Sequence, residues 1–91
     1  MSLSVWKFPL RVDDVVPVEM PEDAKLLTVQ LQRGEPCLWA LVCPEAPKRT
    51  RFLRIVGTGH PVEDDLLYVG TFQLQNGALV FHLFEGQAAR E

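Results

Sequence analysis

The pair Asn76-Gly77 constrains the fold of this chain more than any other two residues. Asn-Gly is the preferred sequence for a two-residue type I′ turn, in which both central residues take positive φ and the flanking strands form a hairpin. A one-residue slip of such a hairpin would move its apolar residues into water, so the register is well specified. The turn predicts the cross-strand pairs Leu74–Leu79, Phe72–Phe81 and Gly70–Leu83 on one face, and Gln73–Val80, Thr71–His82 and Val69–Phe84 on the other.

Upstream of this hairpin, the spacing of apolar residues predicts two further strands. Residues 25–32 alternate between apolar and polar, which is typical of a strand with one buried face. The predicted buried side holds Leu27, Val29 and Leu31. Arg33-Gly34 then supplies a tight turn, because glycine takes positive φ without strain. The run 37–43 is apolar on both faces and ends before Pro44, so we expect it to be a central strand and the best core candidate.

The remaining strands are shorter or contain proline. Residues 5–12 form a first strand in which Pro9, which has no N–H donor, indicates an edge or a break. Residues 15–20 form a short strand interrupted by Pro17, and residues 51–56 form another. Because turn residues recur throughout and no segment has a long helical pattern, the sequence predicts one small all-β domain of about six antiparallel strands. A β-barrel and a two-sheet sandwich both fit, with little or no helix.

The chain divides into a leader at 1–4, a domain at 5–85 and a disordered tail at 86–91. We assign the leader no structural role. An alternative origin for part of it is the cloning procedure. No apolar run approaches the roughly 18 residues that a membrane-spanning helix needs. The N-terminus has no signal-peptide core, because its apolar residues are interrupted by Lys7, Pro9 and Arg11. We therefore expect a cytoplasmic protein without membrane contact.

Length and charge narrow the classes of function. A chain of 91 residues buries only about 60–65% of its unfolded surface, so its core is marginal. Burial of further apolar surface between copies would offset this, which favours a homo-oligomer. The formal net charge of −3 argues against a general nucleic-acid binder, since phosphate neutralisation supplies most of that affinity.

The two cysteines predict neither a disulfide nor a metal site. Cys37 and Cys43 lie about 20 Å apart if they share one strand, whereas a disulfide needs Cα atoms within about 7 Å. Cys37, Cys43, His60 and His82 contain the right atoms for zinc, but for the same reason the two sulfurs cannot ligate one ion. We interpret the cysteines as small apolar residues and expect no metal and no cofactor.

The stretch from Val56 to Pro61 is the first place to look for a ligand or interaction site. It concentrates four candidate residues, namely Gly57, Thr58, Gly59 and His60. A histidine beside the acidic run 63–65 has the chemistry of a general base, and two glycines can present backbone N–H groups to an anion. However, the stretch matches no phosphate-binding motif, and glycine and proline also mark an ordinary turn. We favour the turn and expect no catalytic residue.

A basic cluster provides the alternative function. It holds four of the nine basic residues, namely Lys48, Arg49, Arg51 and Arg54. Small β-barrels bind single strands with basic grooves and aromatic platforms, and Phe52 and Trp39 could supply stacking surfaces. The other interpretation is a solvated strand edge, where positive charge discourages aggregation. Separately, we expect His82 to be a hydrogen-bonded partner of Thr71 across the last hairpin.

Four stretches of the sequence resemble one known family. They are Trp6–Leu10, Pro36–Val42, Val56–Pro61, and the last hairpin from Tyr68–Leu74 into Gly77–Glu85. The family consists of small uncharacterised proteins of tailed bacteriophages and proteobacterial prophages, and it is known only as a domain of unknown function. The resemblance covers the chain from about Val5 to Glu85 and implies a phage or prophage origin. It implies no activity and no catalytic residues.

Taken together, the sequence favours a phage-encoded accessory protein that acts through protein–protein contacts in the host cytoplasm, although association with the virion stays open. We expect a homo-oligomer, or a complex with another phage or host protein, and no enzyme. The alternative is a small β-barrel that binds nucleic acid through residues 48–54.

Overall fold

A computed structural model describes residues 2–86 as a two-sheet β-sandwich. Its strands are β1 (Ser4–Pro9), β2 (Val15–Pro21), β3 (Lys25–Gln32), β4 (Glu35–Val42), β5 (Lys48–Gly57), β6 (Leu67–Leu74) and β7 (Leu79–Glu85). One sheet has the order β1-β4-β3 and the other β2-β5-β7-β6, with every pair antiparallel. The predicted all-β fold is confirmed, with seven strands rather than about six, and of the two predicted closures the sandwich is the one found.

The first and last strands lie close to the predicted domain limits of residues 5 and 85. Strand β1 begins at Ser4, which pairs with Val42, so the ladder starts one residue inside the predicted leader. Residues 87–91 of the predicted tail lie outside the described residues. Within the described range no helix is long and apolar enough to cross a membrane.

The β6–β7 hairpin has the predicted register over most of its length. Leu74 pairs with Leu79, Phe72 with Phe81 and Gly70 with Leu83, and the two phenylalanine ring centroids are 5.7 Å apart. Asn76 and Gly77 take positive φ as predicted, and Ala78 N donates to Gln75 O at 3.0 Å. Gln75 also takes positive φ and the ladder ends at Leu74–Leu79, so the connection is longer than the predicted two-residue turn. The predicted pair Val69–Phe84 is wrong. A β-bulge between Tyr68 and Gly70 places Tyr68 opposite Phe84 instead.

The β3–β4 hairpin has the predicted tight turn. Arg33 and Gly34 take φ of 53° and 81°, and Gln32 pairs with Glu35 directly across them. A bulge between Leu26 and Thr28 changes the predicted buried side. Leu26 packs against the core while Leu27 is exposed, so the prediction for Leu27 is wrong. The prediction for Leu31 is wrong as well, since it is 40% exposed, and only Val29 is buried as predicted. Alternation in the sequence cannot show where one extra residue is inserted in a strand.

Prolines lie at the outer edges of both sheets. Ile55 N donates to Asp14 O and Glu22 N to Pro47 O, so the even-numbered residues of β2 face β5 in the ladder. Pro17 therefore lies at a position whose N–H would point away from the sheet, and β2 continues through it without the predicted interruption. Pro9 likewise ends β1, which is an edge strand as predicted.

The core is a single layer of apolar side chains between the two sheets. Alternate residues of the central strands supply it, and no polar or charged residue among those described is buried. Among the larger aliphatic side chains in this layer, five have almost no exposure, namely Met20, Leu38, Val42, Leu53 and Leu83. Each contributes about 1.5–3 kcal/mol relative to an exposed position.

The two sheets approach most closely where β3 meets β6. A Cβ built on Gly70 would lie 2.7 Å from Val29 Cγ1, a distance that real Cβ atoms do not reach. Val29 is itself 3% exposed and belongs to the core, so it has little room to move away. Glycine at position 70 is therefore required by the contact between the sheets.

We predict that Gly70→Ala lowers the free energy of unfolding by about 1–3 kcal/mol, because a methyl group must be forced into a packed core. Urea unfolding of Gly70→Ala, Val29→Ala and the double variant checks this. The loss caused by Gly70→Ala should be smaller in the Val29→Ala background, since the clashing Cγ1 is gone. Equal losses in both backgrounds would contradict the proposed contact.

Candidate functional site

The stretch Gly57–His60 forms the corner at which β5 ends. His60 N donates a hydrogen bond to Gly57 O at 3.1 Å, and Gly59 takes φ of 90°. The His60 ring lies over Gly57, where an added Cβ would be 3.5 Å from the ring atoms. Glu63, the acid nearest in sequence, pairs with Arg54 at 3.5 Å. This geometry is that of a turn, as the favoured interpretation of the sequence had it.

Thr58 is the corner residue that joins a side-chain network. Its Oγ lies 2.7 Å from His82 Nε2, and His82 Nδ1 lies 2.9 Å from Thr71 Oγ. Thr71 Oγ in turn lies 2.6 Å from the Tyr68 hydroxyl. The predicted contact between His82 and Thr71 is thus confirmed. Thr58, the other partner of His82, could not be predicted from the sequence, because the β5–β7 pairing that brings it there joins residues far apart in the chain.

This network fixes the orientation of the His82 ring and does not have the arrangement of a catalytic base. Thr58 Oγ is 3.4 Å from Val80 O, so a chain of donors can run from Tyr68 through Thr71 and His82 to that carbonyl. Both ring nitrogens of His82 therefore have hydroxyl partners. A catalytic histidine is usually oriented by a carboxylate instead. The arrangement fixes side chains on the outer face of the β2-β5-β7-β6 sheet.

The four residues of the basic cluster are dispersed by the fold. Alternation along β5 turns Arg49 and Arg51 toward the other sheet and Arg54 away from it, because Arg51 pairs with Val18 and Arg54 with Val15. Each cation has a partner within the chain. Lys48 Nζ lies 5.9 Å from the centroid of the Trp6 ring, and Arg49 and Arg54 pair with Glu22 and Glu63 at 2.7 and 3.5 Å. The cluster is contiguous in sequence but does not form one basic groove.

Arg51 has the strongest interactions of the cluster. Its Nε and Nη2 donate to the two carboxylate oxygens of Glu85 at 2.6 and 2.9 Å, and its Nη1 donates to Ala24 O at 2.6 Å. The Arg51 and Glu85 side chains are only 20% and 17% exposed. Such bidentate pairs are both strong and geometrically specific. Arg51 therefore connects β5 and β7 to the chain entering β3, which is a structural role.

The cysteines lie apart, one inside β4 and one after it. Cys37 is buried, whereas Cys43 is half-buried with its Sγ 3.6 Å from Glu45 Oε1. In the part of the chain that the structure describes, no three His, Cys, Asp or Glu side chains are grouped so that they could hold a metal ion.

Strand β4 is central, as predicted, but only one of its faces is buried against the other sheet. Leu38, Ala40 and Val42 point into the core. The intervening residues Trp39 and Leu41 point outward and are half-buried. The expectation that this strand is a core strand on both faces is therefore wrong for the outer face, because the sandwich has no third layer to cover it.

We call this outer surface of the β1-β4-β3 sheet the Trp39 face. It consists of Val5, Lys7 and Pro9 of β1, Glu35, Cys37, Trp39 and Leu41 of β4, and Lys25, Thr28, Gln30 and Gln32 of β3. Trp39 lies at its centre between Lys7 and Thr28, and Val5 beside Leu41 is 53% exposed. Sequence reasoning missed this surface because it assigned the whole run 37–43 to the interior.

Comparison with protein families matches residues 1–91 to a domain of unknown function, DUF7352. The chain belongs to the DUF7352 family. This confirms the expected membership of a family without an assigned activity, while the phage or prophage origin stays a prediction. No curated protein and no solved structure matches this DUF7352 chain.

We predict that Arg51→Met lowers the free energy of unfolding by about 2–3 kcal/mol, since it removes charged hydrogen bonds from a half-buried site and leaves Glu85 without its cation. Arg49→Met is the matched control, because the Arg49 side chain is 66% exposed and its ion pair is worth at most about 1 kcal/mol. Denaturant unfolding of both variants measures the difference. Equal losses would contradict the role assigned to Arg51.

Proposed function

We propose that this DUF7352 protein is a protein–protein interaction module that self-associates through the Trp39 face. We further propose that it is a phage- or prophage-encoded accessory protein that acts in the host cytoplasm and carries out no catalytic step. The family resemblance of its sequence motifs supports the origin. Phage genes beside its own gene would add support, whereas a conserved chromosomal setting without phage genes would count against it.

The half-exposed Trp39 at the centre of a sheet face is the observation that carries the proposal. Tryptophan is enriched among the few residues that dominate binding energy, and such residues cluster near the centre of an interface. Here the indole lies on a regular, rigid strand with apolar neighbours in Val5 and Leu41. Because little ordering is needed before a partner docks on such a surface, most of its burial energy is available for binding.

The apolar part of the Trp39 face consists of Val5, Trp39 and Leu41. Val5 is 53% exposed, and Trp39 and Leu41 are half-buried. Single exposed apolar residues are normal, whereas neighbouring ones on one sheet face are typical of an interaction surface. Nucleic-acid binding has no comparable support, since each of the four clustered cations has a partner within the chain and the net charge is −3.

We predict that Val5→Arg weakens self-association at least about tenfold, a change of about 1.4 kcal/mol, because it places a charge in the apolar part of the contact. Sedimentation velocity over a wide range of protein concentration measures the effect. The wild-type sedimentation coefficient should rise with concentration, while that of Val5→Arg should stay near the monomer value.

Val15→Arg is the matched control for this experiment. Val15 is 46% exposed, similar to Val5, but lies in the edge strand of the other sheet and pairs with Arg54 on the side away from the core. It should associate like the wild type. Equal effects of the two variants would show that the Trp39 face is not the contact, and a wild type that stays monomeric throughout would refute self-association.

A further inference from the structure

The outer face of the β2-β5-β7-β6 sheet carries a strip of aromatic side chains. Because odd-numbered residues of β5 and β7, such as Leu53 and Leu83, enter the core, Phe52 and Phe84 point outward. Tyr68 lies opposite Phe84 on β6, and their ring centroids are 5.6 Å apart. Phe52 and Tyr68 are 40% and 61% exposed. These three rings, which we call the aromatic strip, extend diagonally over two strand spacings, or about 10 Å.

A row of uncharged polar groups runs beside the aromatic strip on the same face. It is the network of Thr58, His82, Thr71 and the Tyr68 hydroxyl. His82 pairs with Thr71 in the β6–β7 ladder, directly next to the pair formed by Phe84 and Tyr68. Gln73, which is exposed, adds an amide group on the same side of β6. Apolar rings and neutral hydrogen-bonding groups therefore lie side by side.

The network can run in two directions, so the Tyr68 hydroxyl can either accept a hydrogen bond from a ligand or donate one to it. With the His82 proton on Nε2, donors run from Tyr68 through Thr71 and His82 to Thr58, and Tyr68 presents only lone pairs outward. With the proton on Nδ1, the order reverses and the Tyr68 hydroxyl donates outward. A sugar hydroxyl is also both donor and acceptor, so it can pair with either arrangement.

The charge of this face favours a neutral ligand. Among the described residues 15–19, 50–58, 68–73 and 80–84, the charged side chains on this face are Glu19 and Arg54, which have opposite sign. Arg54 is moreover paired with Glu63 at 3.5 Å. A nucleic acid or another polyanion needs an excess of positive charge on its binding surface. This face has no such excess, whereas a neutral ligand leaves no charge unpaired on it.

We propose that this face binds a neutral oligosaccharide. The C–H groups of sugar rings pack on the electron-rich faces of the aromatic strip, and sugar hydroxyls pair with the Tyr68 hydroxyl, the two threonines and Gln73. Because the network already fixes most of these polar side chains, little ordering is needed on binding. The site lies on the opposite side of the sandwich from the Trp39 face. It is therefore independent of the proposed self-association.

Glycan binding by the full chain tests this proposal. The probes are uncharged gluco-, galacto- and manno-oligosaccharides and a set of acidic glycans, printed as an array, and the strongest neutral binder is then titrated calorimetrically. We expect binding to neutral glycans with an affinity that does not change with salt concentration, since no charge pair contributes. Tyr68→Ala should lower the affinity at least about tenfold, because it truncates a central aromatic contact.

Leu3→Ala is the matched control. Leu3 is 59% exposed, similar to Tyr68, but precedes β1 of the other sheet, so this variant should bind like the wild type. Tyr68→Phe and Thr71→Val each remove one hydroxyl while keeping the shape of the side chain, and circular dichroism verifies their folding. Each should weaken binding about two- to tenfold, as the loss of one hydrogen bond does. Val5→Arg should bind the oligosaccharide like the wild type, so a failure of self-association leaves this inference standing.

Other results would overturn the proposal. If no neutral glycan binds, or if acidic glycans bind more tightly and are released by salt, the ligand is not a neutral saccharide. If Tyr68→Ala binds like the wild type, the site lies elsewhere. If no glycan binds and Tyr68→Ala instead weakens self-association, this face is a contact between copies of the chain.

Discussion

The structure depends on one apolar layer that joins two sheets. Alternate residues of every strand enter this layer, and side chains such as Leu38, Leu53 and Leu83 have no exposure. Strand geometry sends the intervening residues to the opposite faces. A sandwich of this length has no third layer, so those faces meet either water or another molecule. Trp39 and Leu41 lie on such a face. Packing of the core does not require apolar residues at these two positions.

The sheets are also joined at a specific corner. Gly70 permits the close approach of β6 to Val29, and Arg51 links Glu85 to the backbone of Ala24 beside the same corner. Bulges in β3 and β6 occur nearby, where regular pairing would not follow the bend between the sheets. Prolines at the outer edges limit strand addition there.

Local features of the fold could be predicted from the sequence, whereas contacts between distant segments could not. The register of the last hairpin follows from Asn76-Gly77 and the apolar alternation, and Arg33-Gly34 fixes the other tight turn. Of the two threonine partners of His82, only Thr71 could be predicted, because it is the neighbour of His82 in the hairpin. Thr58 follows β5 in the chain and reaches His82 because β5 pairs with β7. The bulge at Leu27 could not be predicted, because a strand with one extra residue has the same amino-acid composition as a regular strand. Clustering of basic residues in sequence likewise did not show that the fold pairs them with separate partners.

The most direct test of the account is whether Trp39 becomes covered when the protein associates. Hydroxyl-radical footprinting can compare Trp39 with Tyr68, which is 61% exposed on the outer side of the other sheet. Between dilute and concentrated samples, the account predicts a fall in the oxidation of Trp39 and an unchanged oxidation of Tyr68. Oxidation of Trp39 that does not change with concentration, or protection of Tyr68 alone, would contradict it.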